Sequence, residues 1–284
     1  MDDSKMKETL AEIYDALAPE YERAVVPIFR PIAKRMLQLI DLRPGRQVLD
    51  AGTGTGLVAL LGAPRVGKSG KIIGVDASAK MLEIARRKAA QFGFVQCEFR
   101  AGDLESLDLP DAQFNAVLSQ FALHHTDPGK SLRELHRVLA PGGTFVVQEW
   151  AESSSTPNKT IFDVLEKYRA AEASGALALA RAQSERAYMF RTNLAKPEAI
   201  TELVRAVGFS NVDARLERHA LRVGNVDALI DLASAAPLLH VETAALSEDA
   251  RTAFLTEARE ALRVFETARG LEWTYSVVAL VARK

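Results

Sequence analysis

Short apolar runs alternate with helical periodicities along the first 150 residues. Gln47-Val48-Leu49-Asp50-Ala51 and Lys71-Ile72-Ile73-Gly74-Val75-Asp76 are apolar runs of strand length, as are Phe114 to Ser119 and Thr144 to Gln148. Near residue 97 the pattern changes: Val95, Cys97 and Phe99 alternate with Gln96, Glu98 and Arg100, the period of a half-buried strand. Ser78 is placed to cap a helix that carries Met81, Leu82, Ile84 and Ala85, with Arg86, Arg87 and Lys88 toward its C-terminal half and Gly93 at its stop. A second helix is predicted from about Lys130, with Leu132, Leu135 and Leu139 on one face, broken by Pro141-Gly142-Gly143. Strands and helices in alternation predict a parallel sheet covered on both faces.

The second half is less regular. Residues 151–194 read as a loop and then an alanine-rich helix from Ala170 to Ala182. Glu198 to Ala206 reads as a sheet-covering helix, followed by Gly208 and a strand near Val212 to Leu216. Residues 224–269 read as helices with breaks near Pro237 and Ser247, and Trp273 to Val281 as a closing strand. The fold class expected is therefore α/β: a doubly wound, Rossmann-like, seven-stranded and mostly parallel sheet. One domain is expected over 1–284, its core at about 39–150, 195–218 and 271–284. Helical lid or cap segments at 1–38, 151–194 and 219–270 would roof the carboxyl edge, where open α/β sheets bind ligands.

Composition narrows the partners. The chain has 284 residues, with Lys plus Arg at 36 against Asp plus Glu at 37, a formal net charge of −1. That balance argues against a nucleic-acid partner, which calls for a basic surplus. One cysteine, Cys97, excludes an internal disulfide framework, and five histidines without ligand spacing argue against a metal. No run of 18 apolar residues suggests a membrane span, and the acidic start Met1-Asp2-Asp3 lacks the apolar stretch of a secretory signal; a cytoplasmic protein is expected. A homodimer is compatible with the sequence.

The most informative stretch is Asp50-Ala51-Gly52-Thr53-Gly54-Thr55-Gly56. A buried strand ends in three glycines at alternate positions, which lets the chain turn sharply and lets a ligand approach without a Cβ in the way. A helix begins there, so its N–H groups could meet a carboxylate or phosphate. Asp76 ends the next strand, 24 residues after Gly52, where a carboxylate can accept the hydroxyls of a ribose. A dinucleotide site wants G-x-G-x-x-G, and here the third glycine comes one place early.

G-x-G-x-G preceded by an acid instead resembles the first motif of class I methyltransferases, which bind S-adenosylmethionine. More of that pattern follows in order. Gly74-Val75-Asp76-Ala77-Ser78 with Met81 resembles the ribose segment and the apolar cover of the adenine. Ala101-Gly102-Asp103-Leu104 resembles the adenine segment, and Phe114 to Gln120 the fourth motif, with Ser119 and Gln120 facing the methionine part. Tyr14-Asp15-Ala16-Leu17-Ala18-Pro19-Glu20-Tyr21 resembles the lid helix of the quinone-biosynthesis-type and related small-molecule methyltransferases, with Tyr14 and Tyr21 on one helix face. The resemblance covers about residues 14 to 150. It implies a methyltransferase using S-adenosylmethionine and releasing S-adenosylhomocysteine, with Tyr14, Tyr21, Asp50, Gly52, Thr53, Gly54, Gly56, Asp76, Ala77, Met81, Gly102, Asp103, Leu104, Ser119 and Gln120 on the cofactor. The acceptor expected is a small, partly apolar molecule methylated on oxygen or carbon. RNA or protein methylation, a cofactor-binding module without transferase activity, and a dinucleotide oxidoreductase are the competing readings.

His124 follows the fourth strand and Glu149 ends the fifth. In a sheet of this kind those ends open into one crevice, which makes His124 a candidate general base oriented by Glu149. The alternative is structural: His124 packing under the lid and His125 bonding Asp127. Phe162, Tyr168, Tyr188, Met189, Phe190, Leu238 and Leu239 are candidates for an acceptor pocket, or for packing of the cap itself. Gly62 to Ser69 matches the phosphate-loop pattern G-x-x-x-x-G-K-S, but it follows a helix and precedes a strand, the reverse of what a phosphate cradle needs.

Overall fold

The computed structural model describes residues 3–151 and 157–284. The chain divides into two compact units. One comprises Phe29–Glu152, Arg186–Glu217 and Ser276–Lys284, the other Met1–Ile28, Ser153–Glu185 and Arg218–Tyr275.

The sheet runs β3-β2-β1-β4-β5-β8-β6. Its strands are β1 (Gln47–Ala51), β2 (Lys71–Asp76), β3 (Cys97–Ala101), β4 (Phe114–Gln120), β5 (Leu139–Trp150), β6 (Ser210–Val223) and β8 (Gly270–Arg283). Pairing is parallel from β3 through β5, and β8 lies antiparallel to β5. An eighth strand joins the seven expected: β7 (Glu266–Thr267) pairs with β8 and is too short to leave a hydrophobic pattern. The order reverses between β1 and β4, so the switch point opens at the carboxyl ends of Ala51 and Gln120.

The two faces of the sheet follow the period-2 alternation. Leu49, Ala51, Ile73, Val75, Val117, Phe145, Val147, Val278 and Leu280 point to one face. There they join Leu132, Leu135 and Val138 of α5 (Pro128–Val138) and Ile200 and Val204 of α8 (Pro197–Ala206). The three α5 side chains are fully buried, a stabilisation of about 1.5–3 kcal/mol each. α3 (Leu57–Val66) and α4 (Ala79–Phe92) cover the other face. Ser78 caps α4 by accepting the Met81 amide at 3.1 Å, and Gly93 closes it at φ +68°, the two signals seen in the sequence.

Four element boundaries depart from expectation. α5 ends at Val138 and Leu139 already belongs to β5, pairing with Phe114; Pro141-Gly142-Gly143 forms a bulge before Thr144 pairs with Ala116. β3 starts at Cys97 because Val95 lies on the exposed approach to it. β6 spans 14 residues rather than the few near Val212, its polar and apolar positions mixed because much of both faces is wet. The alanine-rich helix is α7 (Gly175–Leu194), displaced toward the C-terminus.

The other unit is built from helices. α1 (Asp3–Glu20) meets α10 (Pro237–Ala244) through Ile13, Leu17 and Val241, with Ala180 of α7. Arg181 forks onto the buried Glu242 at 2.6 and 2.9 Å, and Tyr168 donates to Glu257 at 2.7 Å. Leu239 is fully buried, and Tyr168 lies edge-on to Phe254, so both serve packing inside this unit. Among the described residues no helix is long and apolar enough to cross a membrane.

Candidate functional site

The glycine turn leaves β1 and enters α3 under three positive φ angles, +73° at Gly52, +53° at Gly54 and +82° at Gly56. A Cβ at Gly52 would collide with the Ala122 methyl, so the missing side chain brings this turn against the segment that follows β4. Gly54 differs: a Cβ there would meet nothing within 4 Å. It is the open point of the loop.

The loop amides point inward, contrary to the expectation that they stand free for an anion. Gly52 and Thr53 donate to the Val75 carbonyl at 2.9 and 3.0 Å, Gly56 donates to Thr53, and Gly54 donates to Asp76 Oδ2 at 2.8 Å. The α3 N-terminus has its own anion as well. Asp50 Oδ2 accepts the Ala59 amide at 3.0 Å and the Thr53 hydroxyl at 2.7 Å. A carboxylate at the third helical position takes the place a ligand phosphate would occupy. Burial raises the Asp50 pKa from 3.8 to about 6, with the nearby Asp76 charge adding to it and the two hydrogen bonds opposing it. A buried acid without a cation is a poor neighbour for a pyrophosphate and a good one for an ammonium group.

Asp76, half-buried at the end of β2, is held by two amides, Gly54 on Oδ2 and Ser78 on Oδ1 at 3.0 Å. A carboxylate offers about four lone-pair positions, so an acid at a strand end can accept ribose hydroxyls as well as amides. Ala77 beside it is exposed, and Met81 is buried beneath the first turn of α4. At the end of β3, Gly102 donates to the Asp76 carbonyl at 3.0 Å, Asp103 accepts the Glu105 amide at 2.9 Å, and Leu104 is buried. At the end of β4, Ser119 is fully buried and its Oγ has no hydrogen-bond partner among the described residues. Thr55 Oγ1 is in the same condition at the glycine turn. Orphaned buried polar atoms are rare and costly unless a ligand or water meets them. Together, the buried acid, the open Gly54, the doubly anchored Asp76 and the orphaned hydroxyls fit an adenosine bearing an amino-acid tail better than a dinucleotide. Tyr14 and Tyr21 lie in the other unit, their rings edge to face at 6.4 Å.

His124 and Glu149 come together as expected. His124 Nδ1 lies 2.7 Å from Glu149 Oε2, and the Leu123 amide donates to Oε1 at 2.8 Å. Glu149 is completely buried and His124 nearly so. The His125 ring lies tilted against His124 with centroids 4.1 Å apart, and burial, with the neighbouring His124 adding to it, holds the His125 pKa well below 6.5.

Several residues at these strand ends left little trace in the sequence. Phe121 sits at φ +55° directly after β4, a conformation that costs a non-glycine residue of order 1–3 kcal/mol. It stacks on Trp150 at 4.1 Å and packs against Phe29 of α2 (Val26–Gln38) at 5.0 Å. Beneath them Gln120 donates to Gln148 at 2.8 Å. Glu105 is buried and gathers the Asp127 amide, Lys130 at 3.4 Å and Arg186 at 3.6 Å. Tyr188 and Met189, expected in an acceptor pocket, are exposed on α7, while Phe190 packs under the Arg186 guanidinium.

A Rossmann-like sheet with a glycine turn at its switch point defines a nucleotide-cofactor protein, and the comparisons refine that. A model of a methyltransferase domain matches residues 42–194. Nocamycin O-methyltransferase of Saccharothrix syringae is 29% identical over 229 residues, 77% of this chain and 78% of that protein. The ubiquinone/menaquinone biosynthesis C-methyltransferase UbiE of Hahella chejuensis is 31% identical over 161 residues, 55% of this chain and 65% of its own length. Among solved structures, the YcgJ protein of Bacillus subtilis shares the fold with a TM-score of 0.58 at 20% identity, covering 89% of this chain and 97% of its own. The chain belongs to the class I S-adenosylmethionine-dependent methyltransferases.

Proposed function

We propose that this methyltransferase acts on a small, partly apolar acceptor seated over the ends of β4 and β5, and that His124 removes a proton from the acceptor oxygen or carbon. When bound, S-adenosylmethionine supplies an activated methyl group, so the protein's task is to hold, orient and deprotonate. The observation that carries the reading is the 2.7 Å contact between His124 Nδ1 and the buried Glu149. With Nδ1–H donating to that carboxylate, Nε2 keeps the lone pair, and Glu149 stabilises the imidazolium that forms on taking a proton. The Leu123 amide holds the other carboxylate oxygen and so keeps the pair in register. Asp50, Gly52, Thr53, Gly54 and Gly56 would hold the amino-acid tail of the cofactor, with Ser119 and Gln120 beside it. Asp76 and Ala77 would hold the ribose, and Met81, Gly102, Asp103 and Leu104 the adenine. Phe121 and Trp150 offer an aromatic wall suited to a flat acceptor.

The formal charge of −1 supports a small diffusible acceptor rather than a nucleic acid. The test is a radiolabelled-methyl transfer screen against phenols, quinols and hydroxylated metabolites, with a short RNA and a protein extract as comparators. The reading expects label in one or more of the small acceptors. Label confined to RNA or protein contradicts it.

A further inference from the structure

We infer that Gln148 selects the acceptor by its oxygen chemistry: the molecule that is methylated carries, on a flat ring, a carbonyl oxygen that accepts a hydrogen bond from the Gln148 side-chain amide. The inference rests on the acceptor reading above and adds a second functional group to the acceptor.

Gln148 lies in β5, in register with Gln120, the last residue of β4. Backbone and side chain both tie it to that strand end. Its carbonyl accepts the Phe121 amide at 2.8 Å, and its Oε1 accepts Gln120 Nε2 at 2.8 Å. The oxygen of the side-chain amide is thereby engaged and the nitrogen is left over. Gln148 is fully buried, and its Nε2 has no hydrogen-bond partner among the described residues. A buried donor without an acceptor is a standing cost. Ser119 Oγ and Thr55 Oγ1 also lack partners, but a hydroxyl both donates and accepts. Gln148 Nε2 only donates, which fixes the character of what meets it.

Side chains alternate along a strand, so Gln148 shares a face with Trp150 and lies opposite Val147 and Glu149. Trp150 stacks on Phe121 with the ring planes 12° apart, and Phe29 packs against the two rings at 5.4 and 5.0 Å. The leftover donor therefore stands beside an aromatic cluster, where a flat ring finds its own kind and its oxygen finds the amide. A hydroxyl in that place would bring a buried proton of its own to satisfy; a carbonyl oxygen brings none. Glu149, the next residue along β5, holds His124, so base and donor belong to one strand end.

The experiment is a calorimetric titration of the protein saturated with S-adenosylhomocysteine, using para-hydroxyacetophenone and para-ethylphenol, which differ only in that a carbonyl replaces a methylene. The ketone is expected to bind about five- to fiftyfold more tightly. Gln148→Met removes that preference and leaves affinity for S-adenosylhomocysteine unchanged; if it does not fold, Gln148→Leu carries the same readout. The carbonyl stretch of isotope-labelled ketone is expected at lower frequency on the wild type than on the variant. The inference is overturned if the wild type does not distinguish the probes, or if the folded variant keeps the preference. It is also overturned if the folded variant loses affinity for S-adenosylhomocysteine, which would place the donor on the cofactor. Because the probes need not be methylated, failure of the transfer screen alone would sink the acceptor reading and leave the ketone preference to judge Gln148.

Discussion

The carboxyl edge of the sheet has two regions built on different principles. At β1 and β2 the contacts run mostly from backbone amides onto two carboxylates: Asp50 accepts the Ala59 amide and the Thr53 hydroxyl, and Asp76 accepts the Gly54 amide. At β4 and β5 they run mostly between side chains. His124 meets Glu149, and Phe121 stacks on Trp150. On the reading proposed above, the first region would hold a ligand common to a whole family, and the second would suit one acceptor. Main-chain contacts keep the first insensitive to side-chain changes around it, while side-chain contacts let the second vary without disturbing the cofactor.

That contrast predicts that variants in the two regions fail differently. The largest effect is expected at His124→Ala, with turnover of the best acceptor down about 10²–10⁴-fold and S-adenosylmethionine affinity nearly unchanged. A parallel loss of cofactor affinity would merge the two regions. Next comes Gly52→Ala, which combines a positive φ with a collision against Ala122 and should cost about 2–5 kcal/mol in urea unfolding. Gly54→Ala meets no protein atom, so it should cost only about 1–2 kcal/mol of backbone strain yet weaken the cofactor as strongly as Gly52→Ala does. Equal stability losses in the two glycine variants would show that the open edge at Gly54 is illusory.

Asp50 gives a pH signature. Its folded pKa lies above its unfolded value, so this carboxyl favours the folded state most below pH 4, and that contribution is lost as pH rises through about 6. At neutral pH the buried charge costs about 3 kcal/mol. Asp50→Asn keeps an oxygen for Thr53 and Ala59 and should recover much of that, raising the melting temperature at pH 7.5 and flattening the pH 4–6 slope. A lower melting temperature there would contradict it. The smallest effect is expected at Ser119→Ala: stability the same or slightly higher, since an unpartnered hydroxyl is removed, and cofactor affinity down about two- to tenfold. Unchanged affinity would remove Ser119 from the cofactor site.

The same contrast explains what could be read from the amino-acid sequence. Turns such as Gly52 to Gly56 and caps such as Ser78 and Gly93 act over a few residues, so residue type and spacing carry their geometry. Strands β1, β2, β4 and β5 were legible as apolar runs because they are largely buried on both faces, and β3 through its alternation. β6 was not, since much of it is exposed, and neither was the β5 bulge, where Pro141-Gly142-Gly143 reads as a break although the pairing resumes beyond it. His124 and Glu149 could be paired only by supposing that β4 and β5 are neighbours.

The central claim is that the β1–β2 edge binds while the β4–β5 edge reacts. Single-turnover methyl transfer from saturating radiolabelled S-adenosylmethionine to the best small acceptor, in wild type and His124→Ala across pH 5 to 9, tests it most directly. The account predicts a wild-type rate that rises through a titration absent from the variant, with the variant slower by at least about a hundredfold at neutral pH. Superimposable rate profiles would contradict it.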